Sequence, residues 1–481
     1  MKKSVTRNYI YNLIYQLLIL VLPLITAPYV SRRLGAENLG IYSYTISITT
    51  FFVIFGSLGV ATYGQREIAY VQNNKKEYSR IFWEIAILRI ITMAISILIF
   101  YVAFIFRNTE YKIYYMILIL EILGNAIDIS WFFQGLEDFK KIVMRNTLVK
   151  IISIICVFTF VKGPDDLNKY FLIYVFSIFI GYVSLWLYLP KLIEKVKIKS
   201  IHIFRHLKPT IGLFIPQIAV QVYTLLDKTM IGTIITDKSE VGFYDQSQKI
   251  IKMLLTVITS LGTVMLPRIA SIFANGEKER IKEYLRKSFN MVVLLAFPIM
   301  FGIFAVAKAF VPVFFGPGYD KVAVLMYVIC PILLLIGLSS VTGTQFLLPT
   351  KRQKEFTISV ICGAIMNLIM NGLLIWKYGA IGASIGTVVA ELTVTLIQMY
   401  FTRKDFDYRQ LLKLSWKYLF ASLIMYVICF IIGSFITRNV ISVVVQVAVG
   451  SIVYGSCLLI MRDKFVFEVI GRILHKADVN K

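Results

Sequence analysis

The chain has 481 residues, of which 58% are hydrophobic and 16% charged, and it carries 51 Lys and Arg against 27 Asp and Glu. Apolar stretches of about 20 residues, long enough to cross a bilayer, recur from end to end and exclude a water-soluble multidomain protein. Basic residues in short loops on one side of a membrane explain the net charge of +24, so we expect no nucleic-acid partner.

We therefore predict an all-α integral membrane protein with about 14 transmembrane helices, whose main surroundings are the lipid bilayer. The first apolar stretch is too long for a signal peptide and lacks a small-residue cleavage site, so we predict that it is retained. The distribution of Lys and Arg between alternate loops predicts that both termini are cytoplasmic. In chain order, the predicted helices cover residues 8–31, 41–62, 81–106, 112–134, 143–161, 169–190, 209–236, 241–267, 288–311, 322–347, 356–376, 380–401, 414–436 and 440–461.

Short motifs recur along the chain at a constant offset. The stretch "LGIYSY" at 39–44 matches "VGFYDQ" at 241–246, and Arg66 in "QREIA" corresponds to Arg268 in "PRIA". Several matches in one register indicate an internal repeat. Each copy contains six predicted helices, and because six is even, both copies enter the membrane in the same direction. This parallel repeat is typical of alternating-access transporters.

The repeat predicts the organisation of the chain. Two pseudo-symmetric six-helix lobes should surround a central cavity, and the last two helices fall outside the repeat. The predicted divisions are an N-terminal lobe of residues 1–205, a C-terminal lobe of residues 206–403, and a final segment of residues 404–481 that ends in a cytoplasmic tail.

Several longer motifs together resemble one known family over essentially the whole chain. The family is that of the polysaccharide repeat-unit flippases, within the multidrug, oligosaccharidyl-lipid and polysaccharide exporter superfamily. The motifs that carry the resemblance are "PLITAPYVSRRLGAENLGIYSY" (23–44), "FGSLGVATYGQREIA" (55–69), "QGLEDFKKIVMRN" (134–146), "LLDKTMIG" (225–232), "GFYDQSQKI" (242–250) and "VMLPRIA" (264–270).

The resemblance implies a function. A family member would move an undecaprenyl-diphosphate-linked oligosaccharide from the cytoplasmic to the outer leaflet of a bacterial plasma membrane. Such units are polymerised into capsule, O-antigen, exopolysaccharide or teichoic-type polymer, so polymerase and glycosyltransferase machinery are expected partners. The sequence contains none of the common catalytic motifs, and we expect neither an enzyme nor a metal site.

Predicted helix 7 carries a stripe of polar residues. Gln217, Gln221, Thr224 and Lys228 follow one another at i, i+4, i+7 and i+11, which places them on one helical face. A charge inside a bilayer is costly and usually faces a protein interior or a water-filled cavity. The stripe therefore predicts that Lys228 faces the substrate path.

Asp227 precedes Lys228 but points about 100° away from it, so the two are not each other's partner. The depth of Lys249 and Lys252 on helix 8 suggests that Asp227 neutralises one of them, leaving Lys228 and the other lysine for the substrate. In the alternative, all four charges form a closed network that only holds helices 7 and 8 together.

The N-terminal lobe has its own buried charges. Arg89 on helix 3 and Asp128 on helix 4 lie at similar depths, and Glu121, seven residues before Asp128, is expected to share its helical face. An ion pair between two helices is one interpretation. Phosphate binding by Arg89, or a carboxylate relay for coupling H⁺ or Na⁺, is the other. Glu391 on helix 12 is open to both interpretations, and no other cofactor is expected.

Bases on a cavity wall suit an anionic ligand, and a diphosphate is the most demanding anion on a lipid-linked sugar. The sugar needs stacking and hydrogen bonds, for which Tyr42, Tyr44, Tyr223, Gln217 and Gln221 are candidates. Most tyrosines in such a chain instead belong to the core or to the membrane interface.

Two rival functions remain open. A cation-coupled multidrug exporter of the same superfamily would share the fold and the repeat, but would be expected to place acids in helix 1 or elsewhere in the cavity. Helix 1 has no acid or base between Asn8 and Ser31, and the buried bases favour an anion. A non-transporting scaffold of a polymer-assembly complex has little need of intramembrane charge.

Overall fold

The structure is a computed structural model that describes residues 5–107, 109–436, 439–468 and 471. Every regular element in these ranges is helical. The α-helices are α1 Val5–Ser57, α2 Val60–Tyr70, α3 Lys75–Phe100, α4 Lys112–Ala126, α5 Ser130–Gly135, α6 Phe139–Phe160, α7 Leu167–Trp186, α8 Leu207–Ile234, α9 Ser239–Ala274, α10 Lys278–Phe315, α11 Asp320–Ile329, α12 Ile332–Ser339, α13 Gln353–Tyr378, α14 Ala380–Phe401, α15 Tyr408–Phe435 and α16 Val440–Ile460.

Among the described residues, 12 helical segments are long and apolar enough to cross a membrane. The first, Leu22–Tyr70, combines parts of two predicted helices, and the other 11 each correspond to one. The remaining predicted helix, 209–236, lies in α8. The prediction of an all-α integral membrane protein is therefore confirmed.

The first two predicted helices are joined differently from the sequence prediction. The gap between predicted helices 8–31 and 41–62 places Arg32 and Arg33 in a loop, but both lie in α1, which is interrupted at Gly35. The backbone of Gly35 has a φ of 79°, a conformation that only glycine adopts at no steric cost. Because Arg and Leu favour helix on either side, one glycine is enough to redirect the chain.

The helices form two compact units, Met1–Gly242 and Phe243–Lys481. The first unit therefore includes α8 as well as α1–α7, which precede it. Among its described residues, buried apolar side chains cluster around Phe100, Tyr115 and Phe171 and around Phe82 and Trp131. The division of the repeat into residues 1–205, 206–403 and 404–481 stays a prediction.

Two glycines of the repeated motif meet within the first unit. A Cβ atom on Gly40 would lie 1.7 Å from the carbonyl oxygen of Lys238, and one on Gly242 would lie 2.1 Å from that of Ala36. The contact is reciprocal, since each hypothetical Cβ also lies within 3.2 Å of the other glycine's amide nitrogen. Positions 40 and 242 are separated by the 202 residues of the repeat. The equivalent backbone segments of the two repeat copies are therefore in close contact at these glycines.

A buried polar network fastens the segment before α8 to α2 and α3. The Tyr63 hydroxyl donates to Nδ1 of His206 at 2.7 Å, and Nε2 of the same ring donates to Glu84 at 2.9 Å. Glu84 is fully buried and also accepts from the Arg205 guanidinium and from the backbone N–H of His202. Such a network is strongly stabilising only while every partner keeps its protonation state.

Burial lowers the pKa of His206 below its ordinary value, and the positive charge of Arg205 acts in the same direction. The unfolded chain consequently binds a proton more readily than the folded one as the pH falls through about 6.5. We expect the melting temperature of the purified protein to fall between pH 7.5 and 5.5. His206→Gln should reduce this pH dependence of the melting temperature, whereas His202→Gln, at an exposed site, should leave the pH dependence unchanged. An unchanged slope in His206→Gln would contradict the assignment.

In the second unit, α13 and α14 pack closely through glycines. A Cβ on Gly382 would lie 2.5 Å from the Leu374 carbonyl oxygen, and one on Gly386 would lie 2.4 Å from the Asn371 side chain. The G-x-x-x-G spacing at 382–386 therefore serves helix packing.

Candidate functional site

The first unit contains a partly open cavity of about 610 Å³. Its walls come from α1, the α4–α5 junction, α6 and α7. This volume falls in the range of about 300–1,000 Å³ that small-ligand sites occupy. The polar residues on its walls include Thr26, Ser130, Asn146, Lys150, Ser153 and Ser177.

One face of α6 supplies most of the charge. The cavity-lining positions of α6 run from Ile142 through Arg145 and Lys150 to Val157 at helical spacing. The opposite face is apolar, and Leu148 and Ile155 are 57% and 59% exposed at the outer surface. In a bilayer this helix therefore presents its apolar side to lipid and its basic side to the cavity.

Arg145 is held in place by its neighbours on α6 and α7. Its guanidinium donates to the Gly181 carbonyl oxygen at 3.1 Å and to the Asn146 side chain. It also lies 5.2 Å from the centre of the Tyr182 ring, within reach of a cation–π interaction. The arrangement fixes a positive charge at the cavity wall.

The structure brings the predicted residues Arg89 and Asp128 together. Their side chains form an ion pair at 3.7 Å, and Arg89 Nε also donates to the Asn125 carbonyl oxygen at 2.7 Å. Asp128 lies in the break between α4 and α5, where it accepts from the Ser130 N–H at 2.9 Å. Because the helix ends before Asp128, the expectation that it continues the helical face of Glu121 was wrong.

Glu121 lies behind the cavity wall. It is 5% exposed, and Tyr174, which lines the cavity, donates its hydroxyl to Glu121 Oε1 at 3.1 Å. The second carboxyl oxygen has no hydrogen-bond partner within the described part of the chain. Glu121 is therefore a buried acid that contacts the cavity through Tyr174.

Tyr42 belongs to the same wall. Its ring packs against Tyr170, Phe171 and Tyr174 of α7, with centroid distances of 4.6, 5.1 and 5.7 Å, and its side chain lines the cavity. The candidate Tyr44 packs elsewhere, against the end of α8, where Lys238 lies 5.4 Å from its ring centre.

The predicted stripe on helix 7 lies in α8, which is continuous through it. Asp227 is buried and Lys228 half-buried, and each takes part in interactions. The side chains of Gln217, Gln221, Tyr223 and Thr224 lie outside the described residues.

The other predicted charges lie in the second unit. Lys249 forms an ion pair with Asp245, one turn earlier on α9, at 2.7 Å. Lys252 is exposed and Glu391 of α14 is buried. Whether Asp227 neutralises Lys249 or Lys252 stays a prediction.

Known proteins are similar in sequence to this chain over most of its length. A family model described as polysaccharide biosynthesis protein matches residues 5–273, and the MatE model matches residues 213–373. The chain is 27% identical over 409 residues to a candidate O-antigen transporter of Escherichia coli (strain K12), covering 84% of this chain and 98% of the relative. It is 22% identical to the capsular polysaccharide biosynthesis protein CapF of Staphylococcus aureus, covering 78% and 93%.

Solved structures share the fold. The lipid II flippase MurJ, in an inward closed conformation, superposes with a TM-score of 0.71 at 18% identity, covering 95% of this chain and 99% of that one. An inward-facing multidrug resistance MATE family transporter of the MOP superfamily gives 0.61 at 12% identity, covering 84% and 95%. At these identities the similarity shows the architecture alone.

Proposed function

Because the chain belongs to the polysaccharide biosynthesis protein family, within the MOP exporter superfamily, we propose that it moves a polyprenyl-diphosphate-linked oligosaccharide across a bacterial plasma membrane by alternating access. The carrier lipid is expected to be undecaprenyl diphosphate. The relatives' names support a polysaccharide precursor as cargo. The observation that carries the proposal is the basic, hydroxyl-rich cavity within a membrane-spanning unit, because it suits an anionic sugar better than an organic cation.

A transport assay with purified protein in liposomes tests this function. Lipid-linked oligosaccharide is added to one leaflet, and its arrival in the other is followed with a membrane-impermeant lectin or glycosidase. We expect the protein to accelerate its appearance there and to leave a cationic dye untransported. Dye export without glycan flipping would favour the multidrug exporter. The absence of both activities would favour the scaffold.

The orientation is a further part of the proposal. An excess of Lys and Arg in alternate loops supports cytoplasmic termini. We expect single cysteines at Asp165 and Asp320 to react with an impermeant maleimide in intact cells, and a cysteine at Lys195 to react only after permeabilisation. Labelling at Lys195 in intact cells would reverse the topology.

We propose that Glu121 carries a coupling proton. Its carboxyl group is buried, and Tyr174, whose hydroxyl donates to it, connects it to the cavity. Loss of the proton would place a charge beside the cavity and favour a different arrangement of the wall. Na⁺ would need further oxygen ligands around it.

Replacement of Glu121 tests the coupling. Glu121→Gln keeps the shape and one acceptor but cannot release a proton, so we expect flipping to lose its dependence on an imposed pH gradient. The melting temperature should stay near that of wild type. Glu110→Gln, at an exposed acid before α4, is the matched control and should leave the pH dependence intact. A Glu121→Gln protein that still responds to the gradient would exclude Glu121 as the coupling site.

A further inference from the structure

We propose that the cavity of the first unit binds one acidic sugar residue of the cargo, with Lys150 and Arg145 facing its carboxylate or phosphate ester. The inference rests on the proposed function and names the class of substrate that this flippase accepts. It concerns a site formed by α1, α6 and α7, apart from the lysines of α8 and α9 singled out in the sequence.

The position of Lys150 is the first argument. It lies 11 residues after the start of α6, or about 16 Å along the helix, close to the middle of a bilayer. A charged residue there costs at least about 2.5 kcal/mol on insertion scales, so its retention on the cavity face indicates use.

The balance of charge is the second argument. Asp128 is the acidic residue on the described cavity wall, and its ion pair with Arg89 offsets its charge. Arg145 and Lys150 therefore leave the cavity positive. Arg145 donates to the Gly181 carbonyl and to Asn146, so it provides a fixed charge, and Lys150 adds a second cation on a flexible four-carbon stem.

The size and lining of the cavity favour a sugar over a bare ion. A volume of about 610 Å³ far exceeds that of one inorganic anion. Tyr170 and Tyr174 on α7 offer ring faces for the apolar side of a sugar, and Ser153 and Ser177 offer hydroxyls.

Binding of small probes in detergent tests the site without requiring transport. We would measure the melting temperature of the full-length protein against sodium glucuronate, glucose, sodium phosphate and sodium chloride at matched ionic strength. We expect a saturable rise with glucuronate, a smaller rise with glucose, and competition by phosphate at high concentration. Lys150→Gln should weaken glucuronate binding about tenfold or more, since a hydrogen bond to a charged group is lost.

Two matched variants keep the test decisive. Lys140→Gln removes an exposed lysine from the first turn of the same helix and should leave glucuronate binding unchanged, and Lys150→Arg should largely preserve it. An equal rise in melting temperature with chloride would indicate a site for any counter-ion and would overturn the sugar assignment. Equal shifts with glucose, or an unchanged affinity in Lys150→Gln, would also overturn it. Flipping of a neutral lipid-linked oligosaccharide would persist in each case, so these outcomes leave the transport function standing.

Discussion

Lys228→Ala should slow flipping in liposomes about 10- to 100-fold while leaving the protein inserted and stable. The expectation follows if Lys228 donates to the substrate diphosphate, because hydrogen bonds to charged groups contribute about 1.5–3 kcal/mol. Lys228→Arg should recover part of the rate, since the charge is kept while the ammonium geometry is lost. Initial flipping rate and melting temperature are measured on the same preparations.

The closed-network alternative predicts another outcome for the same variant. If Lys228 only balances buried acids, its removal leaves an uncompensated charge and costs about 3–5 kcal/mol. Expression and melting temperature would then fall together with activity. Asp227→Asn serves as the companion variant, because the substrate-contact model predicts a loss of activity when the neighbouring lysine loses its partner. A misfolded Lys228→Ala protein would exclude the substrate-contact model.

Arg89→Leu should be strongly destabilising, by about 3–5 kcal/mol. The substitution removes the ion pair with Asp128 and the donor to the Asn125 carbonyl, both in a buried environment. The change should appear as a lower melting temperature and a lower yield of folded protein, even without substrate.

The double variant Arg89→Leu with Asp128→Asn distinguishes the contribution of the ion pair to stability from the contribution of side-chain packing. If the cost of Arg89→Leu arises from the stranded Asp128 carboxylate, neutralising that carboxylate should restore part of the stability. The Asn side chain can still accept from the Ser130 N–H, as Asp128 does. A double variant that is no more stable than Arg89→Leu would assign the loss to packing of the arginine stem instead.

Hydropathy predicted the helices because lipid-exposed and buried faces are both apolar in a bilayer, which gives long uninterrupted runs. Counting residues from the helix ends also predicted that Arg89 and Asp128 lie at the same depth. It missed the break before Asp128, since the run stays apolar through Ile127 and Ile129 and a single Gly124 in the last turn of α4 is compatible with a continuing membrane helix.

Arg145 and Lys150 were missed for a different reason. Both fall within predicted helix 143–161, but they follow Lys140 and Lys141, so their charge resembles the end of a basic stretch typical of a cytoplasmic loop. The structure begins α6 at Phe139, so both residues lie well inside the helix. The polar positions 145, 146, 150 and 153 recur with helical spacing, and this periodicity was the available signal. The interactions of Asp227 depend on tertiary packing, which one sequence does not specify.

The two-sided character of α6 has a consequence for how the chain enters the membrane during synthesis. Lys150 near the helix centre costs about 2.5–3.5 kcal/mol on insertion scales, while each Leu or Ile returns only about 0.3–0.6 kcal/mol. The Gly181 carbonyl and the Tyr182 ring that receive Arg145 belong to α7, which leaves the ribosome later. α6 should therefore wait beside the translocon until α7 has emerged, and the two helices should pass into the lipid as a hairpin.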